Sequence, residues 1–111
     1  MISSIINAAR SAQNYGIMNQ LFDEDVDLIL KSISNDDFLK LLSEYNCDAI
    51  LLKIDCLTYY GEISGYIIKD KRKRFNDGSL VRTSRVLDRN KISDKIEITS
   101  TRNTKYLTLV V

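Results

Sequence analysis

Apolar positions recur at helical spacing through the first 46 residues and change period after Asp48. Ser3 or Ser4 predicts the cap of a helix in which Ile5, Ile6, Ala9 and Ala12 share a face, with Gly16 placed to end it. Asp23 predicts the N-cap of a second helix, and the acids that follow suit the positive end of the helix dipole. Val26, Ile29, Leu30 and Ile33 then form a stripe at i, i+3, i+4 and i+7. Ser34-Asn35-Asp36-Asp37 predicts a third start, with Ser34 and Asp37 approximating a capping box. Phe38, Leu41, Leu42 and Tyr45 repeat the stripe, and Asn46 suits the exit. All three stripes read as core-facing, and no chemistry is assigned to them.

Beyond Asp48 the chain reads as β. Ala49 to Ile54 is a short continuous apolar run, read as a buried strand in preference to another helical turn. Ile63, Gly65 and Ile67 alternate with Ser64, Tyr66 and Ile68. Further strands are predicted over Leu80–Leu87, Ile96–Thr99 and Tyr106–Val111. Asp77-Gly78 is a strong turn signal because glycine readily takes positive φ, and Arg102-Asn103 is a weaker one. The order of helices first and sheet second predicts an α+β fold. Its N-terminal helices would pack on a small, strongly bent antiparallel sheet or SH3-like barrel. At 111 residues the chain is predicted to be a single domain, helical over 1–46 and mainly β over 49–111.

Composition narrows the chemistry. The absence of histidine removes the usual general base at neutral pH, the Ser–His–Asp and Cys–His nucleophile pairs, and the commonest metal ligand. Cys47 and Cys56 match no zinc spacing and no secreted disulfide framework, so they read as reduced core thiols. The four glycines, at 16, 61, 65 and 78, form no phosphate loop. Asp23, Asp25 and Asp27 imitate a calcium loop, but Leu28 and Ser34 stand where glycine and glutamate are required. Asp70, Asp77, Asp88 and Glu97 sit beside basic residues or turn signals and read as surface and turn residues. The expectation is therefore no enzyme, no cofactor and no metal. No stretch approaches the roughly 20 apolar residues of a membrane span, and the N-terminus has no secretory pattern, so a cytoplasmic location is expected.

Charge supplies the feature that stands above this background. Residues 1–66 carry 4 Lys/Arg against 10 Asp/Glu, and residues 67–111 carry 12 against 5, giving −6 and +7. Such a division predicts one acidic and one basic face. Lys69, Lys71, Arg72, Lys73 and Arg74 cluster before Phe75, in what would be the tip of a hairpin. Arg82 and Arg85 follow on opposite faces of the next predicted strand. These seven cations are the candidate site, suited to phosphate or to an acidic protein surface. Tyr59, Tyr60, Tyr66 and Phe75 are candidate stacking partners for bases. The competing reading is a solvated hairpin tip with its tyrosines in the core. Ser64–Ile68 lacks the basic residue and later aromatics of an RNA-recognition motif, which is rejected.

The stretch Arg74-Phe75-Asn76-Asp77-Gly78-Ser79-Leu80-Val81-Arg82-Thr83-Ser84-Arg85-Val86, followed by Thr101-Arg102-Asn103-Thr104-Lys105-Tyr106, resembles small uncharacterised accessory proteins of tailed bacteriophages. The shared pattern is RF-x-DG-x-x-V-x-TS-x-V, and the resemblance covers about residues 61–111. It implies an accessory protein that binds a host protein or ribonucleoprotein complex, such as a defence system, and inhibits or retunes it. The alternatives are direct DNA or RNA binding through the basic hairpin 69–74 and a structural role in the virion. The partner, and whether the chain self-associates, are left open by the sequence.

Overall fold

The computed structural model describes residues 23–34, 38–53 and 61–110. The helix expected over residues 3–16, the capping residues Asn35 to Asp37, Ile54, Cys56, Tyr59, Tyr60 and Val111 lie outside them. Two short helices, α1 (Asp23–Ser34) and α2 (Phe38–Glu44), precede six strands. These are β1 (Ala49–Lys53), β2 (Ser64–Ile68), β3 (Ser79–Arg82), β4 (Asp88–Lys91), β5 (Ile96–Ser100) and β6 (Lys105–Val110). Asn46, at the exit of α2, takes the left-handed φ of 53° that ends a helix. The arrangement is α+β. Among the described residues no helix is long and apolar enough to cross a membrane.

The strands form one sheet in the order β3-β2-β1-β6-β5-β4. Each neighbouring pair is antiparallel except β1 and β6, which run parallel from Ala49↔Tyr106 to Lys53↔Val110. The expected antiparallel sheet is thus corrected to a mixed one. Two meanders, β1-β2-β3 and β4-β5-β6, are joined side by side through their first and last strands. Hairpin signals specify only neighbouring pairs, so nothing local marks this join.

Being central explains the continuous apolar run of β1, because both of its faces are buried. Ile50 and Leu52 pack with Tyr66, Ile68, Ile96, Ile98, Leu107 and Leu109 on one face, where Val26 and Ile29 of α1 join them. Ala49 and Leu51 pack with Ile63, Ile67, Val81 and Tyr106 on the other. Gly65 lets β2 approach β1 closely: a Cβ there would lie 2.5 Å from the Leu52 carbonyl oxygen.

The predicted strand Leu80–Leu87 is also corrected. Pairing ends at Arg82, and residues 83–87 form a connector to the opposite edge of the sheet. The Thr83 amide donates to the Ile63 carbonyl, and the Thr83 hydroxyl accepts from the Ile63 amide and donates to the Ser84 carbonyl. These bonds hold Thr83 at the end of the hairpin. Val86 N–H then donates to Gly61 and Leu87 N–H to Ser100. Adjacent Cα atoms are about 3.8 Å apart. In a flat sheet, strands three positions apart would be separated by about 14 Å. One dipeptide thus bonds both the segment that leads into β2 and the end of β5, as a bent sheet allows. The connector leads into β4, whose residues Asp88-Arg89-Asn90-Lys91 are all exposed and carry no apolar alternation, so no strand was predicted there.

Candidate functional site: the basic loop at one end of the sheet

Residues 69–78 link β2 to β3, so the basic run is the tip of a hairpin as its spacing predicts. The loop is wound around one acid. Asp70, expected at the surface, is buried, with no side-chain exposure. Its Oδ2 accepts from the Arg74 amide at 2.9 Å and from Arg74 Nε at 3.1 Å. Its Oδ1 accepts from Arg74 Nη2 and from the Arg72 amide, both at 3.3 Å. Burial alone would push this carboxyl up. The hydrogen bonds from the Arg74 side chain and from the Arg74 and Arg72 amides outweigh burial and hold it below the usual carboxylate range. In return Arg74 is held more firmly protonated, chiefly by its hydrogen bond to Asp70.

Backbone geometry follows from this winding. Lys73 N–H donates to the Asp70 carbonyl, and Lys69 N–H to Asp77 Oδ1 at 2.7 Å. Lys69 and Lys73 take φ of 53° and 54°, a left-handed conformation that non-glycine residues hold only when surrounding bonds enforce it. Gly78, at φ 89°, donates to Ile67 and returns the chain to β3. The Asp77-Gly78 turn is therefore present, set within a longer loop.

A second acid ties the loop to the sheet. Asp48 Oδ2 accepts from the Lys105 amide at 2.9 Å and lies 3.4 Å from Arg72 Nη2. Arg72 also donates to the Asn103 carbonyl, Lys71 N–H to the Asp48 carbonyl, and Arg74 Nη1 to Thr104 Oγ1. The turn between β5 and β6 spans residues 101–104, as Arg102-Asn103 predicts, and supplies two of these acceptors.

The five loop cations thus divide. Arg72 and Arg74 are engaged by acids, while Lys69, Lys71 and Lys73 are exposed and form no ion pair among the described residues. Lys69 separates two depressions. One, of about 350 Å³, is walled by Leu39, Leu42 and Ser43 of α2, by Asn46, Cys47 and Asp48, and by Lys69 and Lys71. The other, of about 340 Å³, lies among Lys69, Asp70, Lys73, Phe75, Asn76 and Asp77. Leu39 and Phe75 are large apolar side chains left exposed at these depressions, and the Arg74 guanidinium lies 5.7 Å from the Phe75 ring centroid. Burial pushes the Cys47 thiol up, against the opposing pull of Lys105, so it is a poor nucleophile at neutral pH.

The remaining predicted cations lie elsewhere. Arg82 pairs with Ser64 at the far end of β3, and Arg85 is in the connector, its side chain beside Gly61. Both are exposed. The seven predicted residues therefore occupy two zones at opposite ends of the β2–β3 hairpin. Of the expected stacking residues, Tyr66 is buried in the core and Phe75 is exposed. Among the described residues no group of His, Cys, Asp and Glu is placed to hold a metal.

Sequence reasoning missed Leu39, Asp48 and the buried role of Asp70. The signal for Asp70 was present, as a lone acid inside a basic run four residues before an arginine. Asp48 gave none, because its partners lie 24 and 57 residues away. Comparison with family models, curated proteins and solved structures finds no match to the chain.

Proposed function

We propose that this chain is a non-catalytic accessory protein that docks its basic loop on an acidic surface of a larger protein or ribonucleoprotein complex and inhibits or retunes it. In this reading it is a tailed-phage protein acting in the host cytoplasm, and its six-stranded mixed sheet is the base that carries the loop. The observation that carries the proposal is the division of the loop cations. Two carboxylates engage Arg72 and Arg74, which winds the loop into a preformed shape, while Lys69, Lys71 and Lys73, with no ion pair among the described residues, are the cations to meet acids on a partner. Preorganisation of this kind lowers the ordering cost of binding. Complementary charge speeds encounter and sets orientation.

A rival reading, direct DNA or RNA binding through residues 69–74, Arg82 and Arg85, draws on the same lysines, since exposed cations gain by releasing counterions from a phosphate backbone. Two features favour protein. The two loop arginines that would fork onto phosphates are already paired, with the exposed Arg82 and Arg85 at the opposite end of the hairpin, and Tyr66 is buried, which leaves Phe75 as the exposed ring beside the lysines. The discriminating experiment is a pull-down from nuclease-treated bacterial lysate with wild type and K69E/K71E/K73E. The proposal expects a stoichiometric protein retained by wild type and lost by the variant. Retention of nucleic acid alone before nuclease treatment, with affinity falling steeply as salt rises, would support the rival.

A further inference from the structure

The depression between α2 and the loop sets two leucines, Leu39 and Leu42, against basic residues. Leu39 is 41% exposed there, and Leu42 lines the cleft with it. Lys69 and Lys71 form the opposite wall. Asp48, the acid that lines the cleft, is already engaged by Arg72 and by the Lys105 amide, so it leaves the lysine charges available.

We infer that this cleft receives an acidic amphipathic segment of a partner protein, one apolar side chain seated against Leu39 and Leu42 while flanking carboxylates meet Lys69 and Lys71. The inference rests on the docking reading above and names the chemistry of the partner. Its volume, about 350 Å³, is at the small end of ligand pockets (roughly 300–1,000 Å³), which suits a side chain or two. Among the described residues the lining holds no aromatic ring on which a base could stack. An apolar notch beside a pair of cations matches the anchor-plus-charge pattern by which grooves read short peptide segments.

The probe is a fluorescein-labelled peptide of about twelve alternating Glu and Leu residues, beside the same peptide with Leu replaced by Ser and a single-stranded oligonucleotide of equal charge. Anisotropy titrations should show the Glu/Leu peptide binding at least about tenfold more tightly than the Glu/Ser peptide. Leu39→Asp and K69E/K71E should each weaken it by about tenfold or more, with unchanged circular dichroism, while R82E/R85E leaves it unchanged. Amide shifts on titration should centre on Leu39, Ser43, Lys69 and Lys71. Equal binding of the two peptides, tighter binding of the oligonucleotide, insensitivity to Leu39→Asp, or no binding of the Glu/Leu peptide would each overturn the inference. A lysate partner lost by K69E/K71E/K73E yet kept by Leu39→Asp would leave loop docking standing and remove the cleft from it.

Discussion

The two ends of the β2–β3 hairpin carry arginines of the same sequence character and opposite structural standing. At the loop end, Arg72 and Arg74 close onto Asp48 and Asp70, and through Asn103 and Thr104 they lash three separate segments together. At the far end, Arg82 and Arg85 are exposed and form no ion pair among the described residues. The difference lies in what is underneath. Asp70, with no exposure, makes Arg74 part of the fold, the partly exposed Asp48 holds Arg72 more loosely, and a cation without an acid beneath it remains available to solvent and partners.

The sharpest test of that contrast is Asp70→Ala. It deprives two loop amides and a guanidinium of their acceptor at once, and urea unfolding should show a loss of about 3 kcal/mol. The figure stays at the low end for a broken pair because the Arg74 side chain is 32% exposed and can turn to water. The isosteric Asp70→Asn reads out pH. Because the folded carboxyl is held below its unfolded value, its contribution is fully present above about pH 4 and is lost as pH falls through the folded pKa. The gap between wild type and Asp70→Asn should therefore be widest near neutrality and shrink in acid.

Towards the far end, the sensitive position is a glycine. Gly65→Ala would force β2 away from the Leu52 carbonyl and should cost about 2 kcal/mol in the same unfolding assay. Arg74→Ala should cost about 1–2 kcal/mol, since it leaves the buried Asp70 carboxylate with only its amide donors. Arg72→Ala should cost less than about 1 kcal/mol, as its pair is partly exposed on both sides. The smallest effect belongs to Arg82→Ala with Arg85→Ala, expected within about 0.5 kcal/mol of wild type. A larger loss there would erase the contrast between the ends.

Local pattern made some of these elements readable and hid others. The continuous run Ala49-Ile50-Leu51-Leu52 announced a strand buried on both faces, and Asn46, Asp77-Gly78 and Arg102-Asn103 marked real chain reversals. The parallel join of β1 to β6 was hidden because its partners lie 57 residues apart and no turn chemistry encodes a distant pairing. β4 was hidden because an exposed edge strand needs no apolar alternation, and charged residues on an edge discourage unwanted pairing. At the candidate site the cluster of cations was legible but its division was not. Lysine and arginine look alike in a charge count, and which of them is free depends on acids placed by the tertiary fold.

The join between the first and last strands also sets the order of events during folding. β1 draws neighbours from both meanders, and residues 105–110 leave the ribosome after the other described strands of the sheet. Closing a loop of this span costs entropy before any contact rewards it. Pairings so distant in sequence are slow to form. Until β6 arrives, Leu51 and Leu52 on the central strand lack one neighbour, so the nascent chain presents its most apolar segment unguarded. Assembly of this domain therefore waits on its final strand, and conditions that slow release of those residues should lower the soluble yield more than they would for a domain built from local hairpins.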